Sequence, residues 1–203
     1  MSITAQGYLE HLKSYLNMKD YGQTCQAKEK QRSESNQIVL SEKIEGTTER
    51  RKVTLNFKGD AFAIRLDQGN DPLYHFLRNN EGHLWSRRCD FIIFHRAGAK
   101  INAYCIEFKE ASTRIPNDKI MLQLAAAEAW CSSLNKIVSA YIGQTKKINL
   151  SKYIFTACKN PDPDLDDRSK YLRKCPSIRH YLFSEIDEKS LEELENSTIK
   201  SIN

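Results

Sequence analysis

Apolar residues recur along the chain with two distinct periods, and each period predicts a different kind of element. Residues 4–18 place Tyr8, Leu9, Leu12, Tyr15 and Leu16 at helical spacing, which predicts an amphipathic helix with one buried stripe. Residues 22–36 are rich in Gln, Lys, Glu and Ser and have little to bury, so an exposed loop or a helical extension is expected there. Residues 53–57 and 61–66 alternate as strands, and Lys58-Gly59-Asp60 between them predicts a hairpin turn. Asp71-Pro72 carries the cap and first-turn signals of a short helix running toward Leu77. Residues 89–94 and 101–109, rich in β-branched and aromatic side chains, form the clearest strand pair, joined by a hairpin-sized connection containing Gly98. Pro116-Asn117-Asp118 then opens a helix whose body, residues 119–133, combines strong helix formers with a row of alanines that lets it lie close on a sheet. Residues 136–143 fit either an extension of that helix or a strand, residues 152–158 fit a strand, and residues 160–164 fit a turn. A basic helix to about Lys174, a short strand at residues 180–183 and an acidic helix at residues 190–195 complete the pattern.

Composition narrows the class. At 203 residues, 40% hydrophobic and 28% charged, the chain fits one globular domain and excludes fibrous or mostly disordered proteins. The expected domain spans 1–203, with its core at roughly 50–160, the N-terminal helix at 4–18 and a helical tail from about 185. No apolar run approaches the roughly 18 residues of a membrane span, and the first residues lack the basic start and apolar stretch of a signal peptide. A cytoplasmic protein with no membrane partner is expected. Six cysteines, at 25, 89, 105, 131, 158 and 175, are far apart and include no C-x-x-C pair, so reduced thiols are expected rather than disulfides or zinc. The net charge is +5, and residues 50–119, with 13 basic and 8 acidic side chains, carry all of it. Such a surface suits a phosphate-bearing partner.

The candidate chemistry lies on the strongest strand pair. Side chains two apart on a strand share a face, so Glu107 and Lys109 project together, with the Phe108 carbonyl between them. A hairpin centred on Gly98 and Ala99 pairs positions that sum to 197, which sets Asp90 opposite Glu107. Directly opposed carboxylates repel, so the arrangement makes sense around a cation. Two carboxylates, a carbonyl and waters suit Mg²⁺, and Lys109 is then placed to orient or deprotonate a bound water or to steady phosphate charge.

With Cys89-Asp90-Phe-Ile-Ile followed by Tyr104-Cys-Ile-Glu107-Phe108-Lys109 and an alanine-rich helix containing Gln123, residues 85–131 resemble the PD-(D/E)xK nuclease superfamily. That resemblance implies an α/β fold with a restriction-endonuclease-like core: a central mixed sheet built around the 89–109 hairpin and flanked by the 4–18 and 117–133 helices. It implies a metal-dependent nuclease with Asp90, Glu107 and Lys109 as catalytic residues and Asp90, Glu107 and Phe108 as ligands for Mg²⁺, with Mn²⁺ as a substitute. Gln123 matches a helix glutamine that assists some members, and Arg87 and Arg88 are candidate phosphate contacts. Two features depart from the family pattern: Cys89 stands where the motif proline is usual, and the upstream glutamate has three candidates, Glu10, Glu42 and Glu81. The implied partner is nucleic acid, DNA foremost, in restriction, phage defence, recombination or repair. With no G-x-x-x-x-G-K-S/T sequence, target recognition would come from a homodimer or a partner subunit. The alternative is a catalytically inactive nuclease-fold protein that binds nucleic acid or assembles a larger complex.

Other residues point elsewhere. A second acid-x-Lys copy, Asp187-Glu188-Lys189, has polar neighbours and is expected at the start of a surface helix. His83 and His95 are expected at the surface, and Trp85 and Trp130 in the core. The acidic residues between 162 and 167 lack the glycine and terminal glutamate of a calcium loop.

Overall fold

The computed structural model describes residues 2–27, 35–44, 46–67, 83–110, 115–157 and 164–203. In chain order the elements are α1 (Ala5–Tyr15), α2 (Met18–Tyr21), β1 (Thr24–Ala27), β2 (Ser35–Lys43), β3 (Arg50–Lys58), β4 (Ala61–Arg65), a 3-10 turn at Leu84–Ser86, β5 (Phe91–Ala97) and β6 (Lys100–Lys109). They continue with α3 (Asn117–Ile142), β7 (Ile148–Thr156), β8 (Tyr171–Leu172), β9 (Cys175–Leu182), α4 (Phe183–Ile186), a 3-10 turn at Leu191–Glu193 and β10 (Lys200–Ile202).

Seven of the strands form one mixed sheet in the order β4-β5-β6-β7-β9-β8, with β10 paired antiparallel to β7. The β5–β6 hairpin has the expected register, Phe91 opposite Ile106 and Ala97 opposite Lys100. Gly98 takes the left-handed conformation at its turn, with φ 63°. From β6 the chain crosses through α3 and returns as β7 parallel to β6, the connection that parallel strands require. Thr4 caps α1 by accepting from the Gly7 N–H, and Gly143, with φ 68°, terminates α3. Residues 136–142 thus extend the helix.

Both faces of the sheet are covered, which explains why its central strands read as nearly continuous apolar runs. Ile92, Phe94, Ile101, Ala103 and Cys105 pack with α1 and α3. Their neighbours Phe91, Ile93, Tyr104, Ile106 and Phe108 pack with Ile38, Leu40, Val53, Leu55 and Phe57 of a second, three-stranded sheet, β1-β2-β3. The architecture is therefore α/β with three layers: helices, large mixed sheet, small antiparallel sheet. No helix among the described residues is long and apolar enough to cross a membrane.

Several expectations are corrected. Residues 58–60 do not close a hairpin: β3 pairs with β2 and β4 with β5, so Gly59, with φ 75°, turns the chain from one sheet into the other. The described parts of the 22–36 segment contain β1 and the start of β2. The two long helices lie on the same face of the large sheet, the small sheet covering the other. Turns and the two-residue β8 replace the basic helix near Lys174, Phe183 starts α4, and the tail from 185 holds only short turns and β10. His95 is 1% exposed, whereas Trp85 is 39% exposed. Trp130 is half-buried against the core, and Cys89, Cys105 and Cys131 are buried free thiols. The 71–77 helix, Glu81, Cys158 and residues 160–163 of the expected turn lie outside the described residues.

Candidate metal centre

Asp90 sits in the bend that opens β5, and its backbone carbonyl accepts from the Leu66 N–H at 2.9 Å. Its carboxylate Oδ2 accepts from the Phe108 N–H at 2.5 Å, while its own N–H donates to Glu107 Oε2 at 3.2 Å. These two bonds lock the start of β5 to the end of β6. Because a strand residue presents its N–H and C=O toward the same edge, the Phe108 carbonyl also faces the Asp90 side. Lys109 pairs with Glu107 Oε1, so both carboxylate oxygens of the fully buried Glu107 are engaged. The sheet thus brings Asp90, Glu107, Phe108 and Lys109 together.

Beside them lies a group of three carboxylates. One oxygen each of Glu42, Asp67 and Asp90 falls within 4.8 Å of the others, close enough to ligate one ion. Glu42 comes from β2 of the small sheet, and of the two described upstream candidates, Glu10 and Glu42, it is the one that reaches Asp90. Glu10 is exposed on α1 and lines a separate groove with Gln6, Phe57 and Asp60. Sequence reasoning overlooked Asp67, whose place follows from a strand pairing that no local pattern records. The β4–β5 register pairs Arg65 with Phe91, which sets Leu66 opposite Asp90 and Asp67 one residue beyond.

The electrostatics reflect this crowding. Burial pushes the Glu42 carboxyl up to about 8, the Asp90 charge adds to the effect, and Arg65, 3.7 Å away, offsets part of it. Asp90 is raised to about 6 by burial, against the opposing pull of Lys109 and the Phe108 N–H. Glu107 is raised well above the carboxylate range, first by burial and then by Asp90. Burial alone would lower Lys109, but Glu107, Asp90 and Glu42 outweigh it and leave its pKa raised. Lys109 is therefore an ammonium, suited to orienting a water or an anion rather than accepting a proton.

The supporting residues divide. Gln123 on α3 is buried and donates through Nε2 to the Arg88 carbonyl at 2.9 Å, tying the helix to the segment before Asp90. Arg88 is buried and Arg87 half-buried. On the other side of Lys109, its register partner Thr156 is buried and meets His180 Nε2 at 2.8 Å. His180 Nδ1 lies 3.0 Å from the Ser169 carbonyl. A carbonyl only accepts, so Nδ1 carries a proton, and in the neutral ring Nε2 then accepts from the Thr156 hydroxyl. This pair, absent from the sequence reading, extends the polar edge across β7 and β9.

The second acid-x-Lys copy has a structural role. Asp187 Oδ1 accepts from the Thr54 N–H at 2.7 Å, and the Glu188 carbonyl accepts from the Asn56 side chain, docking the turn after α4 on β3. Asp166 likewise caps a turn, accepting from the Lys170 and Tyr171 N–H groups. Comparison with known protein families, curated proteins and solved structures gives no match.

Proposed function

We propose that the protein is a divalent-metal-dependent nuclease that hydrolyses phosphodiester bonds in nucleic acid, DNA foremost. The observation that carries this reading is the convergence of the Glu42, Asp67 and Asp90 oxygens within 4.8 Å, beside the Glu107–Lys109 ion pair. The donor set fits Mg²⁺ or Mn²⁺: hard carboxylate oxygens, a backbone carbonyl on the same side, and one exposed ligand, Asp67, leaving room for water. Asp90 opens the second strand of the large sheet, Glu107 and Lys109 end the third, and α3 follows, which supports a restriction-endonuclease-like core.

In this reading Asp90, Glu42 and Asp67 hold the ion, which when bound supplies an activated water and charge stabilisation at the phosphate. Glu107 has a different duty from the ligand role its position suggests. It fixes the Lys109 ammonium with one oxygen and the Asp90 backbone with the other. Lys109 donates to the attacking water or to a phosphate oxygen, and Gln123 steadies the segment that carries Asp90. The basic excess between residues 50 and 119 supplies attraction for the phosphate backbone.

The test is cleavage of supercoiled plasmid and of single- and double-stranded oligonucleotides, DNA and RNA, with Mg²⁺, Mn²⁺ or EDTA. Cutting should require the divalent ion, and Asp90→Asn and Lys109→Ala, each shown to be folded by its melting transition, should slow it by about 100-fold or more. Undiminished cutting by either variant would overturn the assignment. Salt-sensitive binding with no cutting of any substrate would instead identify a non-cleaving nucleic-acid-binding protein.

A further inference from the structure

One cation stands at the edge of the three carboxylates and makes little use of its donors. Arg65, the last residue of β4, pairs in register with Phe91, the residue after Asp90, and the next N–H, that of Leu66, donates to the Asp90 carbonyl at 2.9 Å. The backbone under Arg65 is thereby fixed to the residue at the heart of the centre. Side chains two apart on an extended chain share a face, so Arg65 projects with Asp67. Its Nη2 lies 3.7 Å from Glu42 Oε1, and its charge pulls the pKa of both Glu42 and Asp90 down against burial. That contact is a loose one for a guanidinium, whose bonds to carboxylates usually run at about 2.7–2.9 Å and often in parallel pairs. Here Nε is buried without a hydrogen-bond partner, none of the five N–H donors is in a hydrogen bond among the described residues, and the side chain is only 20% exposed. A largely desolvated guanidinium with its donors unused is poorly placed as a counter-charge and well placed to take an anion.

We infer that Arg65 is the phosphate-holding residue of the proposed metal centre, its guanidinium fork donating to the two non-bridging oxygens of the phosphodiester under attack. The inference rests on the nuclease reading and deepens it. A divalent ion offsets two of the three carboxylate charges, which weakens the hold of Glu42 on the guanidinium. The planar fork matches a phosphate through two parallel bonds, as the point charge of a lysine does not. Charge that develops on those oxygens during hydrolysis strengthens the bonds, so the contact favours the transition state. Lys109 approaches from β6 and Arg65 from β4, and with the phosphate held by Arg65 the Lys109 ammonium is left for the attacking water.

Cutting and binding together test the assignment, in wild type, Arg65→Ala and Arg65→Lys, each shown to be folded by its melting transition. With Mg²⁺ and protein in excess over a labelled DNA oligonucleotide, Arg65→Ala should cut about 100-fold more slowly, and Arg65→Lys, which keeps the charge without the fork, should stay at least about 10-fold below wild type. The Mg²⁺-induced rise in melting temperature should persist in Arg65→Ala, since Arg65 is not a ligand; its loss would make the residue part of the ion's own site and overturn the inference. Binding is read by anisotropy in the Lys109→Ala background, where cutting is slow. With Mg²⁺, adding Arg65→Ala should weaken binding of the oligonucleotide by about 10- to 100-fold, and with EDTA, where the carboxylates hold the guanidinium, by much less. Wild-type cutting by either variant, or an equal loss of binding with Mg²⁺ and with EDTA, would overturn the role of Arg65 while leaving the nuclease reading in place. If the wild type cuts nothing, a Mg²⁺-dependent loss of binding would keep Arg65 as a phosphate contact and remove the hydrolysis, and an unchanged affinity would remove both.

Discussion

Glu107 is fully buried, and the pairing with Lys109 offsets part of the cost of charging it. Removing the ammonium takes away the contacts that hold the Glu107 pKa down against burial and Asp90, so the carboxyl is driven further toward its protonated form. Lys109→Ala should therefore cost about 2–4 kcal/mol near pH 7, somewhat less than breaking a pair whose survivor stays charged. Adding Glu107→Gln removes the stranded acid, and the double variant should recover at least half of that loss. Urea unfolding of the two single variants and the double variant measures the coupling; additive costs would mean that the two side chains do not depend on each other. Asp90, Glu107 and Lys109 were legible in the sequence because strand alternation and hairpin arithmetic involve only neighbouring residues. Glu42 could only be nominated, and Asp67 was not, because their proximity to Asp90 depends on how the small sheet and β4 dock. No local pattern records that docking.

Helix α1 was legible from its apolar stripe, yet its place beside α3 depends on polar contacts that periodicity does not report. Buried Tyr8 reaches across to α3, its hydroxyl 2.5 Å from Asn135 Oδ1 and 2.8 Å from Ser139 Oγ. Tyr8→Phe should lose about 1–2 kcal/mol, since it leaves buried polar groups on α3 short of a partner while the ring still packs. A urea midpoint unchanged from wild type would mean the hydroxyl cluster contributes nothing to docking α1. Elements misread from the sequence failed for physical reasons of the same kind. Lys58-Gly59-Asp60 has hairpin chemistry, but a glycine turn between alternating runs looks alike whether the strands pair with each other or enter different sheets. Leu191 and Leu194 are three apart and both buried, which a single 3-10 turn satisfies without an α-helix. The strand β2 was missed because Ile38, Val39 and Leu40 are embedded among polar residues, so its apolar content is too short a run to stand out.

Across the whole molecule, the candidate metal centre is a junction between layers: Glu42 belongs to the small sheet, whereas Asp67 follows β4 and Asp90 precedes β5 of the large one. An ion held there would fasten the two sheets, so its binding energy would appear as global stability. At a hundredfold excess over Kd the gain is about 2.7 kcal/mol, which for a chain of this size corresponds to roughly 5–10 °C in Tm. The sign of its pH dependence follows from the raised carboxyls. Glu42, at about 8, and Asp90, at about 6, keep protons in the folded protein that ordinary carboxylates, with pKa values near 4, have already released in the unfolded chain. The metal-free protein therefore loses stability as pH rises through that window, while the ion binds the ionised forms and gains affinity. Melting curves with Mg²⁺ or EDTA from about pH 5.5 to about pH 8.5 should show a metal-induced shift that grows with pH. Glu42→Gln and Asp67→Asn should each lose most of that shift. Asp187→Asn, which keeps an oxygen for the Thr54 N–H, should retain it. A shift of equal size in all four proteins would place the ion elsewhere, and one that shrinks as pH rises would show that these carboxylates do not bind it.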